Sequence, residues 1–524
     1  MDSPLPRPGM EEFPILSPKK ASLSNSPHKK FTKKAIFNDM RIFSGILLVL
    51  TLSTTFALAG EADKNRVDSL AAKSSSIDSS EFYTPRKPTG KRLPVIIPFM
   101  EVVLQDAFVW SWDRFVLDKN YAKIGPSVWK RNFREGWKWD DNHFAVNFFG
   151  HPYQGSHYYS AARASGYSFY ESFFFAATGS YIWEMFCEQE YPAPNDFITT
   201  SIGGTIYGEI LYRLSTRLLA KPDAGILENI GAFAMNPFAY IQEKINGASY
   251  TNPGYAPIEL SVFAGVGKRF GNEYRYDEDA DDRSDEDWND AAGLYGLSLV
   301  YGRADRRIRQ PFEYFTFDFN QEQSQDGMLM KLSAVGKLKN LNMHAGKNWI
   351  DLGTYLHFDT FYGNLVEMSA LSIGFGADIN LDLSEKFRFR MSHMPSYVIL
   401  GSSNFNYDDI LAAADSNYKA TRDYQYSLGV SYKAMLELEL KRWGRLYNKA
   451  SVFLFRSIPN TEPHYGMKGY DFVAFNSANV EAYLPLDISL GIQLNSYLKI
   501  AAYERVQPMS QMMHSIGTYL SYRI

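Results

Sequence analysis

The stretch that decides the fold is YQYSLGVSYKAMLELEL, residues 424–440. Bulky apolar side chains recur at every second position from Tyr424 to Leu440, and Gln, Ser, Gly, Lys and Glu fill the positions between them. Met435 is the one apolar residue in the polar set. Because successive side chains of a strand point to opposite faces, this pattern predicts a long β-strand with one apolar wall and one polar wall.

The same alternation returns in about twelve runs between residues 258 and 524, clearly at 371–383, 387–391, 488–495 and 516–524. A soluble sandwich and a transmembrane barrel both alternate, but sandwich strands are usually only about 5–6 residues long. Several of these runs reach 12–17 residues, and Tyr and Trp gather near the strand ends, as in outer-membrane barrels. The sequence therefore predicts an α+β fold with an antiparallel transmembrane β-barrel of about 12 strands over residues 256–524. A periplasmic β-sandwich binding protein is the soluble alternative.

The N-terminal part is predicted to be an export signal. Residues 1–39 are rich in Pro, Ser and Lys and are expected to be a disordered lead, and one interpretation is that translation begins at Met40. The run 40–59 combines a basic start, an apolar stretch and an A-x-A site, which predicts a signal peptide cleaved after Ala59. A permanent signal-anchor helix is the alternative. Residues 60–97 are a polar linker.

Composition excludes several function classes. The 54 Lys and Arg residues against 58 Asp and Glu residues lack the basic footprint of a nucleic-acid binder. With 21% charged residues, the chain does not fit a polytopic helical membrane protein. The single cysteine, Cys187, excludes an intramolecular disulfide framework and is expected to be a small buried residue. No P-loop, dinucleotide fingerprint or nucleophile elbow occurs, so no cofactor is expected.

Residues 98–250 are predicted to form a helical domain that carries polar groups on apolar helices. Glu184 and Glu188 lie four residues apart, as do Glu209 and Arg213, so each pair shares one helical face. Gly204 and Gly208 are also four apart, which would let another helix approach closely. Buried carboxylates need partners, and the histidines and arginines of this region are available for that role.

Two interpretations of these polar groups remain open. In the first they are general acids and bases or metal ligands; the candidates are His151, His157, Glu184, Glu188, Asp196 and Glu209. In the second, which we favour, they form a structural network that fixes helix packing; its members also include Arg163, Arg213, Trp183 and Ser180. A weaker metal candidate is the acidic stretch with Asp277, Asp279 and Asp281, which suits a hard cation such as Ca²⁺ but is more simply a solvated loop.

The segment from about Pro98 to Leu219 resembles a bacterial envelope family known as domain of unknown function 3943. The resemblance covers roughly a quarter of the chain. It rests on Asp140-Asp141-Asn142, Asn147, His151 to Ser156, Ala162-Arg163, Gly166 to Ser168, Trp183-Glu184, Glu188, Asp196, Gly203-Gly204 and Gly208-Glu209 with Arg213. It implies an outer-membrane protein of a Gram-negative bacterium, with helices before a barrel and no established activity.

The sequence thus favours a non-enzymatic pore, transport or structural role in the outer membrane, with a periplasmic or luminal helical domain. Its expected partners are outer-membrane lipid and the barrel assembly machinery, with no nucleic acid and no identified small-molecule ligand. The rival function is an envelope lipid- or glycan-modifying enzyme that uses the His/Glu cluster.

Overall fold

The computed structural model describes residues 92–219, 224–246, 256–275, 288–325, 327–363, 366–404, 422–461, 468–504 and 508–523. The predicted lead, the signal peptide with its cleavage after Ala59 and most of the linker lie outside the described residues. The acidic stretch with Asp277, Asp279 and Asp281 lies outside them as well.

Twelve strands close into one barrel, in which each strand pairs antiparallel with its neighbours along the chain and β1 pairs with β12. The strands are β1 Ile258–Arg275, β2 Trp288–Tyr301, β3 Phe315–Ser324, β4 Gly327–Ala345, β5 Asn348–Gly363, β6 Glu367–Leu381, β7 Phe387–Asn404, β8 Tyr424–Leu440, β9 Gly444–Ser457, β10 Gly469–Tyr483, β11 Ile488–Tyr503 and β12 Met509–Arg523. The predicted fold class is confirmed. The sandwich alternative is wrong, because all twelve strands belong to a single closed sheet.

The alternation within β8 matches the two sides of the barrel wall. Leu428 and Val430 point outward and are 40% and 53% exposed, whereas Lys433 and Glu437 point into the lumen and are buried. The apolar set of residues 424–440 is therefore the outer surface, and the polar set lines the interior. This is the arrangement of a barrel whose exterior contacts lipid.

The two ends of the barrel differ in the length of their connections. At one end Gly346 and Lys347 join β4 to β5, and residues 441–443 join β8 to β9, although the longer connection 302–314 between β2 and β3 also lies there. At the other end residues 405–423 separate β7 from β8. We call these the short-turn end and the long-loop end. In outer-membrane barrels the short turns face the periplasm.

The segment before the barrel, residues 92–246, is mainly helical, and we call its described part the helical unit. Its helices are α1 Ile96–Ser111, α2 Pro126–Glu135, α3 His151–Ala164, α4 Phe169–Ile182, α5 Pro194–Ile198, α6 Gly204–Leu219, α7 Ile226–Met235 and α8 Pro237–Asn246. Four π-helical turns adjoin them: Trp112–Val116, Val146–Gly150, Trp183–Cys187 and Thr199–Gly203. None of the helices in the described part of the chain has the length and apolar composition needed to cross a membrane.

Helix α3 is the centre of the helical unit. Its residues Tyr158, Tyr159, Ala161 and Ala162 are fully buried, and α4 and α6 pack against it. Helix α4 begins with a capping box, in which the Ser168 side chain accepts from the Glu171 backbone and the Glu171 side chain accepts from the Ser168 backbone. The core between these helices fixes where the polar side chains of α3 point.

The helical unit lies against the outer face of the barrel wall. Phe358 of β5 points outward but is fully buried, because Tyr207 of α6 packs edge-on against it with ring centroids 5.2 Å apart. Outward residues beyond the covered sector stay accessible, and Phe375 of β6 is 56% exposed. Phe169 likewise stacks on Phe312 in the connection between β2 and β3.

This contact excludes the luminal location that is one of the two predictions for the helical unit. The lumen is excluded for the described helices, because they meet the strand face that points away from it. The unit instead runs beside the wall, where its apolar side chains cover apolar strand residues. An alternating pattern alone assigns this whole outer surface to lipid, so the sequence does not predict helices there. The helices pack against the wall because the contact buries apolar side chains of both.

Candidate functional site

Three acid and histidine side chains of the helical unit meet in one buried group, the acid–histidine cluster of His151, Glu184 and Asp196. One potential metal-ligand atom from each lies within 4.8 Å of the others. Glu184 and Asp196 are at most 1% exposed, and His151 is 7% exposed. Residues that are distant in the chain thus converge on one point inside the unit.

Irregular helix geometry brings the three residues together. His151 directly follows the π turn Val146–Gly150, Glu184 lies within the turn Trp183–Cys187, and Asp196 lies just before the turn Thr199–Gly203. A π turn changes the direction in which the following side chains point, and such turns are frequent at functional sites. Three of the four π turns therefore border the cluster.

Hydrogen bonds hold each member of the cluster in place. His151 Nε2 lies 3.3 Å from Asp196 Oδ1, and His151 Nδ1 lies 3.3 Å from Thr200 Oγ1. The backbone N–H of Ala193 donates to Glu184 Oε2 over 2.8 Å. No N–H donor of the described residues reaches the other oxygen, Glu184 Oε1, and the carboxyl groups of Glu184 and Glu188 hydrogen-bond with each other.

The cluster places two carboxyl groups and an imidazole in a buried environment. Burial, together with the charges of Glu188 and Asp196, raises the pKa of Glu184 well above its usual value. Burial and the charges of Asp140 and Glu188 do the same to the pKa of Asp196. Burial also lowers the pKa of His151 to about 4, despite the charge of Asp140. Burial thus favours protonated carboxyl groups and a neutral imidazole in the cluster.

Glu188 adjoins the cluster as a further acid. Its carboxylate accepts a hydrogen bond from Trp183 Nε1 over 3.2 Å. Burial, reinforced by the charge of Glu190, raises the pKa of Glu188 to about 8. Among the described residues, no Lys or Arg forms an ion pair with Glu184, Glu188 or Asp196.

The arginines that the sequence offers as partners bind a different acid. Arg163 Nε and Arg213 Nε donate to the two oxygens of Glu209 over 2.7 and 2.8 Å, and the Tyr159 hydroxyl also donates to it over 2.7 Å. Burial alone would raise the pKa of Glu209, but the two guanidinium charges outweigh it and hold the pKa below its usual value. Glu209 is thus a paired charge in a helix-packing network.

The remaining candidate residues lie apart from the cluster. His157 packs edge-on against Tyr153, with ring centroids 4.7 Å apart. Ser180 is buried in α4, and no hydrogen-bond partner for its hydroxyl occurs among the described residues. Gly204 and Gly208 lie where α6 touches α3, and a Cβ on Gly204 would lie 2.5 Å from the carbonyl carbon of Gly155.

Residues outside the candidate set connect the cluster to the barrel. Asn195 Nδ2 bridges Asp196 Oδ1 and Asp140 Oδ1, at 2.7 and 2.6 Å. The hydroxyl of Tyr426 donates to the same Asp140 oxygen over 2.5 Å, and Asn147 Nδ2 lies 2.7 Å from that hydroxyl. Asp140 and Asn147 belong to the family pattern, and this was the signal in the sequence that could have identified them as functional residues. Their contact with Tyr426 spans about 280 positions in the chain, and nothing local in the sequence indicates it.

The barrel lumen holds the second candidate site, a cavity of about 810 Å³ lined by strands and turns of the barrel. Ion pairs cross its walls, among them Lys433 with Asp359 at 2.6 Å and Lys449 with Asp318 at 3.0 Å. Lys331 also lines the cavity and forms no carboxylate ion pair within the described residues. No residue of the helical unit lines this cavity among those described.

Aromatic side chains bound the cavity toward the long-loop end. Phe361 of β5 and Phe475 of β10 stack face to face across the lumen, and Tyr497 of β11 packs on Phe475 with ring centroids 5.0 Å apart. We call these three residues the aromatic barrier. At the opposite end the cavity reaches the short turns, including Gly346 and Lys347.

Comparison with known proteins gives one family match and several remote structural likenesses. No curated protein matches the chain. An outer membrane channel from Pseudomonas putida F1 aligns with 11% identity and a TM-score of 0.27, over 51% of this chain and 96% of the channel. A KdgM porin aligns with 7% identity and a TM-score of 0.20, over 49% of this chain and 98% of the porin. Likenesses this remote support no conclusion about activity.

The family match falls on the segment that carries the candidate cluster. The model described as domain of unknown function (DUF3943) matches residues 136–238, which include His151, Glu184 and Asp196. Its span begins just before Asp140 and ends in α8. The predicted resemblance is therefore confirmed: residues 136–238 match the model of the domain of unknown function DUF3943, and a closed 12-stranded barrel follows them.

Proposed function

We propose that the protein is an outer-membrane transport barrel that takes a small anionic solute into its lumen from the periplasmic end. The observation that carries this proposal is the charged cavity, in which Lys331 faces the space without a carboxylate partner among the described residues. The barrel wall supports a membrane location, because its outward strand positions are apolar and its inward positions are polar.

The cavity has the chemistry to select charge. Most of its acidic and basic side chains neutralise one another in pairs, such as Arg445 with Glu481 at 2.6 Å. The ammonium of Lys331 instead lies 5.2 and 5.6 Å from the ring centroids of Phe361 and Phe475. An unpaired ammonium at the inner end of a polar cavity favours a carboxylate or phosphate group on the solute.

The aromatic barrier supports a gated passage. It separates the cavity from the long-loop end, so a solute would have to displace its rings to pass. Apolar constrictions gate channels by excluding water. At its other end the cavity reaches the short turns, which face the periplasm in barrels of this type.

Replacing the stacked pair tests the gate. We expect the double variant Phe361→Ala/Phe475→Ala to conduct ions several-fold better than the wild-type protein in planar lipid bilayers, because it removes the rings that fill the lumen. Phe375→Ala is the matched control, since Phe375 points outward and should leave conductance unchanged. A wild-type conductance in the double variant, with heat-modifiable gel mobility showing a folded barrel, would contradict the gate.

Replacing the unpaired lysine tests the solute class. We expect Lys331→Met to weaken the anion preference of the opened Phe361→Ala/Phe475→Ala channel, measured as a reversal potential in a KCl gradient. Lys268→Met is the control, because Lys268 lies on the exposed outer face of β1. An unchanged reversal potential in the Lys331 variant would overturn the proposed preference for anions.

A further inference from the structure

We propose that His151, Glu184 and Asp196 form a binding site for a divalent first-row transition metal ion, with Zn²⁺ as the best-fitting class. This site lies in the helical unit and is independent of the transport function proposed for the lumen. The ligand set is one imidazole and two carboxylates, a combination that proteins use for Zn²⁺ and related ions.

The distances within the cluster suit a single ion. Bonds of about 2.0–2.2 Å from Zn²⁺ to nitrogen and oxygen, spread at a tetrahedral angle, place two ligand atoms about 3.4 Å apart. His151 Nε2 and Asp196 Oδ1 are separated by 3.3 Å. Because the three ligand atoms all lie within 4.8 Å of one another, Glu184 can join the same ion after a small side-chain adjustment.

The environment of the Glu184 carboxylate also supports a bound cation. The Glu184 side chain is fully buried, no N–H donor of the described residues reaches Oε1, and the side chain that hydrogen-bonds with it is another acid, Glu188. A buried carboxylate oxygen without a donor is costly, because it has lost its hydration. The Ala193 N–H holds the other oxygen, so a cation in the cluster would complete the coordination of this carboxylate.

The ionised form of the cluster would need a cation to balance its charge. Two carboxylates and the neighbouring Glu188 lie together, and within the described residues no Lys or Arg pairs with any of them. The contrast is Glu209, only one helix away, which pairs with both Arg163 and Arg213. Glu209 is thus neutralised by arginine side chains, whereas the acids of the cluster have no such partner among the described residues and can bind a different cation.

The surroundings of the ligands match the outer shell of a metal site. A metal-ligating histidine usually binds through one ring nitrogen and donates a hydrogen bond from the other. His151 Nδ1 lies beside the Thr200 hydroxyl at 3.3 Å, which leaves Nε2 for the ion. Asn195 Nδ2 donates to Asp196 Oδ1 over 2.7 Å and so orients this carboxylate. Three protein ligands also leave a position for water, as in catalytic zinc sites.

Metal analysis of the full-length protein tests the proposal. The protein, folded in detergent, is loaded with Zn²⁺, desalted and measured by elemental mass spectrometry, and its affinity is determined by chelator competition. We expect about one Zn²⁺ per chain, and more than about a 10-fold loss of affinity in Glu184→Gln and in Asp196→Asn. His157→Gln is the matched control, because it removes a largely buried histidine of the same helix that lies outside the cluster.

Thermal unfolding distinguishes a variant that has lost a metal-binding side chain from one that fails to fold. We expect Zn²⁺ to raise the unfolding temperature of the wild-type protein and of the His157 variant, and to leave that of Glu184→Gln unchanged. Both amide variants keep the shape of the side chain and remove a buried negative charge, so each should fold without metal. The proposal is overturned if the wild-type protein retains no stoichiometric metal, or if Glu184→Gln binds Zn²⁺ as tightly as His157→Gln does.

Discussion

Asp106 of α1 shows how one buried carboxyl group sets a pH dependence. It is 1% exposed, and Tyr158 and Gln154 donate hydrogen bonds toward it. Its second oxygen, Oδ2, has no donor among the described residues. Burial raises the pKa of Asp106 to about 7, although both hydrogen bonds oppose that shift. The folded helical unit therefore favours the protonated acid.

The sign of this shift predicts how stability changes with pH. The folded state binds the proton more tightly than the unfolded state, in which the pKa is near 3.8. The free energy of unfolding should therefore fall as pH rises from about 4 to 7, with a penalty from this group of about 4 kcal/mol at most above pH 7.

Asp106→Asn should remove this penalty, because the amide stays neutral and can donate a hydrogen bond. Thermal melts of the helical unit in the full-length protein at pH 5 and pH 8 would check it, with the exposed Asp118→Asn as control. An equal pH dependence in wild type and Asp106→Asn would contradict the assignment.

Among the helical elements, the contact between α3 and the π turn Thr199–Gly203 is a tight constraint on the cluster. A Cβ on Gly155 would lie 1.9 Å from the carbonyl oxygen of Thr200, and Thr200 is the residue beside the His151 ring. The backbone of α3 can approach the π turn Thr199–Gly203 this closely only because position 155 lacks a side chain. Gly155 thereby sets the position of Thr200, which lies beside the cluster.

Gly155→Ala should destabilise the helical unit by about 1–3 kcal/mol, because the added methyl group has to push the two backbones apart. It should also weaken the Zn²⁺ affinity of the proposed site by shifting Thr200. Gly150→Ala is the control, since the nearest atom to its Cβ would be 3.9 Å away. Chemical denaturation followed by tryptophan fluorescence measures the stability of both variants. Equal stability of the two variants would show that the close approach is not a constraint.

The elements also show which parts of the fold a sequence can predict. The barrel follows from alternation, because each strand such as β8 must present one face to each side of the wall. The π turns do not follow from any pattern that the sequence displays. The sequence could therefore name His151, Glu184 and Asp196 as candidates. It could not show that these three meet while His157 and Glu209 lie elsewhere.

At the scale of the whole molecule, the placement of the helical unit was the feature least accessible to the sequence. Outward residues such as Phe358 and Tyr426 fit the alternating pattern whether lipid or protein covers them. The covering contact also involves partners about 150 to 280 positions away in the chain. Only the folded structure distinguishes a wall residue under protein from one that faces acyl chains.

Cross-linking tests this placement directly. With Cys187 replaced by alanine, the pair Tyr207→Cys/Phe358→Cys should react efficiently with a short bifunctional thiol reagent, because the two native rings are 5.2 Å apart. The linked chain should show altered gel mobility. Tyr207→Cys/Phe375→Cys is the control, since Phe375 lies on the uncovered part of the outer wall. Equal reactivity of the two pairs, or none in the first, would contradict the arrangement.

The position of the helical unit outside the wall has a consequence for the boundary lipid of the proposed membrane barrel. On the far arc, outward side chains such as Val480, Ile492 and Leu520 are 52–55% exposed and can be solvated by acyl chains. On the near arc, Phe358 and Tyr426 are sealed beneath helices. Lipid therefore contacts the strands of the proposed membrane barrel on one side only. A neighbouring membrane protein would meet apolar strand side chains on that side and helices on the other.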